Sequence, residues 1–243
     1  MSSTPGHRDG RPDQSLTPAP SLVVFDVNGT LSDMAPLQQR FEEVGTAAHE
    51  ATTWFASLLR DGFALTVTGN NPSFASMAAE SLRVALTSRV PTDRLEGSVE
   101  HVLAGLSELE VHPDVAEGVT AMRDHGLRMV TLSQGASGIA DTLLTRAGIR
   151  DSFEHLLSVH DAGTWKPAAA AYQHALGTCG VSAAQSMLVA VHPWDLDGAH
   201  RAGLRTAWIN RSGARYPAYF AAPDMEAASV SELAQRLTAA MGS

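Results

Sequence analysis

Residues 22–25, Leu-Val-Val-Phe, make an unbroken apolar run between Pro20 and the Asn28-Gly29 pair. A run this short, apolar at every position and bounded by turn residues, predicts a strand buried on both faces, as in a parallel sheet. Asp26 stands at its carboxyl end, and Gly29 supplies a turn at no steric cost. Ligands of open α/β sheets bind outside the carboxyl ends of the strands. A carboxylate placed there is a candidate nucleophile, general base or metal ligand, or a turn cap of the Asx type.

Four more apolar runs follow, at 127–132, 156–159, 187–191 and 206–209. Between them, apolar residues recur at helical spacing over 115–125, 139–147, 168–179, 197–202 and 230–241. Gly126, Gly148 and Gly203 stand where helix-ending glycines belong. Strands alternating with helices predict a doubly wound α/β fold with a parallel sheet and right-handed crossovers. The segment after the first strand breaks this alternation. A helix is expected over 34–59, ended by Asp61-Gly62, then helical turns at 63–67, 73–86, from Pro91-Thr92 onward, and 99–106. This helical block would stand over the end of the first strand as a lid above Asp26. The expected organisation is therefore a tail without order at 1–20, a core built from 21–33 and 111–243, and a helical cap domain at 34–110. The stretch 216–223 carries no pattern that assigns it.

The strand ends share one property: each carries polar residues. They are Asp26 with Asn28 and Thr30, Ser133 with Gln134, Lys166, and Asp195 with Asp197. In a doubly wound sheet such ends converge on one crevice. Four in register point to a site more strongly than any one alone.

Composition narrows the partners. Seventeen Lys and Arg stand against 26 Asp and Glu, a formal charge of −9 with no basic run, which argues against nucleic acid. No apolar run approaches the roughly 18–20 residues of a membrane helix, and residues 1–20 lack the apolar stretch of a secretory signal. Cys179 is the one cysteine, so no intrachain disulfide forms; this fits a cytoplasmic location.

DVNGTL, LSQG, Lys166-Pro167 and HPWD, in this order, resemble the four motifs of the haloacid dehalogenase superfamily over residues 21–211. Within it, TLSQGA, KPAAAAY and PWDLDGAHRAGLRTAWINR are most similar to the type II (L-2-haloacid) dehalogenases. The helical block matches that superfamily's cap inserted after motif one. The resemblance implies a hydrolase for short 2-haloacids, with no cofactor and no metal, and it allows a homodimer. Asp26 would displace halide from carbon to give an aspartyl ester. Lys166 would hold Asp26 ionised and counter charge on the oxyanion, and Asp195 would activate water for ester hydrolysis. Thr30 and Ser133 would hydrogen-bond Asp26 or the substrate carboxylate, and Tyr172 would orient the network. Tyr172 as a core aromatic, Thr30 as a turn hydroxyl and Asp195 as a helix N-cap stay open as readings of the sequence.

Most of the superfamily are phosphatases, which use a second Asp two residues after the nucleophile as acid and, through its backbone carbonyl, as a Mg²⁺ ligand. Position 28 here is Asn, which cannot donate a proton as a carboxylic acid does. The first motif-four Asp falls at Val191, and valine offers nothing to a hard cation. A phosphatase, or a non-catalytic protein binding small carboxylates, is the alternative reading. This chain also departs from the type II pattern. Asn28 replaces an aromatic, Gln134 replaces Asn, and Ala190 and His192 replace Ser and Asn. Arg60 is the candidate for the cap arginine that takes up halide, or else lies on a solvated helix face. His192 would act as a base near Asp195 or merely fill space there. Trp54, Phe55 and Phe74 would wall an apolar pocket or pack lid against core.

Overall fold

A computed structural model describes residues 19–239 and Met241. The expected N-terminal tail lies outside the described residues, apart from Ala19 and Pro20. In chain order the first elements are β1 (Leu22–Phe25), α1 (Leu37–Glu43), α2 (Glu50–Val67), α3 (Phe74–Leu86) and α4 (Leu95–Glu108). Next come α5 (Val115–Asp124), β2 (Arg128–Ser133), α6 (Ser137–Arg146), β3 (His155–Ser158), α7 (Val159–Ala162) and α8 (Ala169–Cys179). The chain closes with β4 (Ser186–Ala190), α9 (Pro193–Arg201), β5 (Arg205–Ile209), β6 (Met225–Ala227) and α10 (Val230–Ala239). The sheet runs β3-β2-β1-β4-β5-β6, parallel throughout. The order reverses direction between β1 and β4, which is where doubly wound sheets open a crevice.

All four side chains of β1 are fully buried. Their alternation decides which layer each joins. Val23 and Phe25 pack with Val119 of α5, Leu144 of α6 and Leu233 of α10. Leu22 and Val24 face Tyr172 and Ala175 of α8 and Ala199 of α9. Each such burial is worth about 1.5–3 kcal/mol, so β1 is the strand least able to slip register.

Helices α1 to α4 have their own core, including Phe41, Trp54, Leu58, Ala78, Leu82 and Val102. In α3, Phe74, Ala78, Leu82 and Leu86 recur every four residues and all are buried. Its start follows from Ser73, whose hydroxyl accepts from the amide of Ser76 at 3.2 Å. Val159 of α7, Trp165, and Ala171 of α8 join this same core.

Several boundaries differ from the sequence expectation. The helix expected over 34–59 is two helices, parted near Gly45, whose φ of +90° no other residue type adopts readily. Asp61-Gly62 does not end a helix: α2 runs through both. The glycine is there because Trp165 lies against the helix, and a Cβ at position 62 would collide with Cζ3 and Cε3 of that indole. Gly62→Ala is accordingly expected to destabilise the protein. Overpacking costs about 1–3 kcal/mol, more than the roughly 0.8–1.0 kcal/mol that Ala gains in helix propensity. A urea midpoint at or above wild type would contradict this. Helix α9 starts at Pro193 rather than 197, and β6 is an additional edge strand. The stretch 216–223 remains without a helix or strand.

Candidate active site

Asp26 is the residue after β1, and it is 2% exposed. Its amide donates to the Val189 carbonyl at 3.0 Å, which carries the β1–β4 pairing one residue further. The hydroxyl of Thr30 donates to Asp26 Oδ2 at 2.7 Å and accepts from the amide of Val191 at 3.0 Å. Thr30 thus joins the loop after β1 to the end of β4. Lys166 follows Trp165, whose indole N–H donates to the Pro72 carbonyl at 2.9 Å. Its peptide groups are held by Gln134: the amide side chain of Gln134 donates to Lys166 O at 2.9 Å and accepts from Lys166 N at 3.1 Å.

The Lys166 ammonium is fully buried, and its three donors are all used. Nζ lies 2.8 Å from Asp26 Oδ1, 2.7 Å from Asp195 Oδ2 and 2.8 Å from the carbonyl of Leu132. Tyr172 donates its hydroxyl to Asp195 Oδ1 at 2.6 Å. Gly198, one turn along α9 from Asp195, makes room for this. A Cβ there would sit 2.6 Å from the Tyr172 hydroxyl and 2.5 Å from Pro167 Cβ.

One ammonium between two buried carboxylates sets the electrostatics. Burial pushes the Asp26 pKa up, but the Lys166 charge, the His192 ring and hydrogen bonds from Lys166 and Thr30 outweigh it, and the carboxyl sits below its usual range. Asp195 goes the other way. Burial and the Asp26 charge raise it, against the pull of Lys166 and Tyr172. Lys166 loses solvation, yet Asp195 and Asp26 together hold its pKa above the usual lysine value. Burial, then Asp195, raises Tyr172 well above the usual phenol, so it stays a donor. Two acids with pKa values pushed apart are a mark of acid/base assignment.

Asp26, Thr30, Lys166, Tyr172 and Asp195 therefore meet in one buried cluster. The helix-cap reading of Asp195 does not describe its contacts, whereas Tyr172 is a core aromatic, its ring packed in the layer under β1, and also holds Asp195 through its hydroxyl. Asp195 is the third residue of α9, where His192 is the N-cap position. Ser133 stands beside the cluster but not on Asp26: its hydroxyl accepts from the amide of Gly135 at 2.9 Å. Asp197 is not at the site; it pairs with Arg201 at 2.7 Å and accepts from the amide of Ala221. The Arg60 side chain in α2 is 70% exposed and paired with Asp61. The His192 carbonyl accepts from the Asp195 amide at 3.0 Å, but its ring turns to the loop after β1. Its Nε2 lies 2.9 Å from the Asn28 carbonyl and 3.7 Å from Asp26 Oδ2. Trp54 packs on Phe41 inside the helical block and donates to Ser81, so it walls no pocket at Asp26. Phe55 does face the site, 6.5 Å from the His192 ring. Phe74 lines a pocket of about 10 Å³ with Asn28, Ser133 and Gly135. That space holds about one water.

Two residues outside the expected set complete the loop after Asp26. Three consecutive carbonyls, those of Asn28, Gly29 and Thr30, accept from His192 Nε2 (2.9 Å), His112 Nε2 (3.1 Å) and Arg211 Nη2 (3.0 Å). Arg211 is itself held by Asp114 at 2.6 Å. A carbonyl only accepts, so both imidazoles carry hydrogen on Nε2. No sequence pattern signals this clamp, because its three donors come from separate segments.

A family model described as haloacid dehalogenase-like hydrolase matches residues 20–203. The chain belongs to that family. Similar characterised hydrolases of this kind include haloacetate dehalogenase H-2 of Moraxella sp. (strain B), 28% identical over 83% of this chain and 91% of the relative. (S)-2-haloacid dehalogenase 4A of Burkholderia cepacia is 29% identical over 82% of this chain and 87% of its own. A solved structure described as a dehalogenase with an intermediate complex superposes with a TM-score of 0.85. It is 27% identical and covers 92% of this chain and 99% of that one. The doubly wound sheet with Asp26 at its reversal point is thus the fold of a haloacid dehalogenase-like hydrolase. No helix among the described residues is long and apolar enough to cross a membrane.

Proposed function

We propose that this protein cleaves the carbon–halogen bond of short 2-haloacids by way of an aspartyl ester and without a divalent cation. One observation carries the reading: Asp26 is buried and kept anionic by Lys166, and position 28, where the phosphatases carry the acid that protonates a poor leaving group, holds Asn. Halide leaves without a proton, whereas an alkoxide leaving from phosphorus needs one. The names of the relatives point the same way.

In the first step an Asp26 oxygen forms a bond to C2 while the carbon–halogen pair leaves as halide, with inversion. Water then adds to Cγ of the ester, and the 2-hydroxy acid departs with the oxygen that Asp26 brought. Lys166, one hydrogen bond from Oδ1, stabilises the oxyanion of that addition. Asp195 takes the water proton and returns it to the departing alkoxide oxygen, a role suited to its raised pKa. Tyr172 and Gln134 hold Asp195 and Lys166 in place. Thr30 and, next to it, Ser133, Asn28 and Gln134 are the polar groups nearest an incoming substrate carboxylate. Asp26 is 2% exposed, and the helical block standing over the strand ends is the part whose movement would admit a substrate. We take 34–110 as that cap and 21–33 with 111–243 as the core. A cytoplasmic location and a homodimer complete the reading.

The test is an assay with 2-chloropropionate and with p-nitrophenyl phosphate, each with and without EDTA. Halide release untouched by EDTA is expected. Metal-dependent phosphate release would favour a phosphatase and overturn the proposal. Thermal stabilisation by a small carboxylate without turnover would favour a binding protein.

A further inference from the structure

We propose that the His192 imidazole occupies the place beside the nucleophile that a divalent cation would take, and so closes the site to Mg²⁺. The inference concerns the site itself and holds whichever substrate is turned over.

Two oxygens converge on a single nitrogen. His192 Nε2 is 2.9 Å from the Asn28 carbonyl and 3.7 Å from Asp26 Oδ2. A carboxylate oxygen of the nucleophile and the carbonyl two residues later are the pair that phosphatases of the superfamily give to Mg²⁺. Mg²⁺ sits about 2.0–2.1 Å from each oxygen it binds and demands an octahedral shell. The hydrogen on Nε2 already points into the Asn28 carbonyl, and the ring fills the space in front of Oδ2.

The ring is built in rather than loosely placed. It stacks on Trp194 with centroids 5.2 Å apart and planes 21° apart, and Trp194 in turn packs on Phe63 at 4.8 Å. Phe55 covers its other side. Gly29, at φ +80°, leaves room for the ring: a Cβ there would lie 3.7 Å from Nε2 and 3.5 Å from Val191 Cγ2. The remaining donors do not fit a cation either. The Val191 side chain brings no oxygen, and the other carboxylate, Asp195, is already engaged by Lys166 and Tyr172. Among the described residues no group of three His, Cys, Asp or Glu side chains comes together to hold a metal. The imidazole and the Lys166 ammonium thus do by side chains what a cation does elsewhere: they fix the carboxylate and the loop behind it. An anion held by hydrogen bonds and charge keeps a lone pair for attack.

The test is Mn²⁺ binding followed by water-proton relaxation in wild type, Val191→Asp and Val191→Asp/His192→Ser. The first substitution supplies the missing carboxylate, and the second removes the imidazole. The double variant is expected to bind Mn²⁺ on the order of tenfold more tightly than Val191→Asp alone, since only it offers a free carbonyl and carboxylate together. Adding Asp26→Asn to the double variant should remove that gain. Equal binding by the two variants, or binding by neither, overturns the proposal. A measurement on the unaltered protein stands beside it. In ¹⁵N-histidine spectra, His192 should carry hydrogen on Nε2 and remain unmoved by millimolar Mg²⁺. A His192 signal that shifts with Mg²⁺, or one protonated on Nδ1 alone, contradicts the inference. None of these readouts uses dehalogenation.

Discussion

Asp26→Asn is expected to lose turnover by at least about 10⁴-fold while the protein stays folded. The amide has no anionic oxygen to form the ester bond. It fits the same space, keeps its oxygen as the acceptor for Lys166 Nζ, turns its NH2 toward the Thr30 hydroxyl, which can accept, and leaves Asp195 to balance the ammonium. Replacing one of two carboxylates around a single buried cation brings the cluster from a charge of −1 to neutrality, so the melting temperature should change little. Halide release in a long-time assay, with the melting curve as the control for folding, reads both. Activity near wild type would mean that another group attacks the carbon.

Lys166→Met carries the largest expected effect on stability, and it also moves the pH dependence of the rate. The methionine is of similar length but leaves Asp26 and Asp195 facing each other in a site without solvent, and strands the Leu132 carbonyl. Removing one partner of a buried ion pair costs about 3–5 kcal/mol, a large part of the 5–15 kcal/mol that holds a domain together. The sign for activity follows from the same contacts. Lys166 is the strongest influence holding Asp26 below its usual range against burial. Without it the Asp26 pKa rises, and the acid limb of the rate profile moves to higher pH. Urea denaturation and a pH–rate profile for any folded fraction test the two halves. A wild-type urea midpoint with an unmoved acid limb would show that the ammonium bears neither load.

The sheet was legible because β1 is apolar at every position and the central strands β2, β4 and β5 keep a mostly apolar stretch, as burial on both faces requires. Met225–Ala227 escaped notice because Met-Glu-Ala at a sheet edge lacks that pattern. Gly62 was misread as a helix end because the reason for a glycine lies a hundred residues away, in the ring of Trp165. At the site, Asp26, Thr30, Lys166, Tyr172 and Asp195 could be named from four strand ends and a family pattern, since the sheet itself gathers those ends. Arg60 could not be placed, because sequence does not say which face of a cap helix turns toward the sheet. His192 was expected beside Asp195, its near neighbour in sequence. The turn into α9 instead sends its ring back over Asn28. The clamp on the three carbonyls was invisible for the same reason: His112, His192 and Arg211 are neighbours only after folding.

Mass spectrometry of a single turnover in ¹⁸O water decides the matter most directly, with enzyme in excess over 2-chloropropionate. A covalent route through the carboxylate places the heavy oxygen in the peptide containing Asp26 and releases lactate whose new hydroxyl is unlabelled. Labelled lactate beside an unlabelled peptide would mean that water attacks the carbon itself, and the nucleophile assigned here would be wrong.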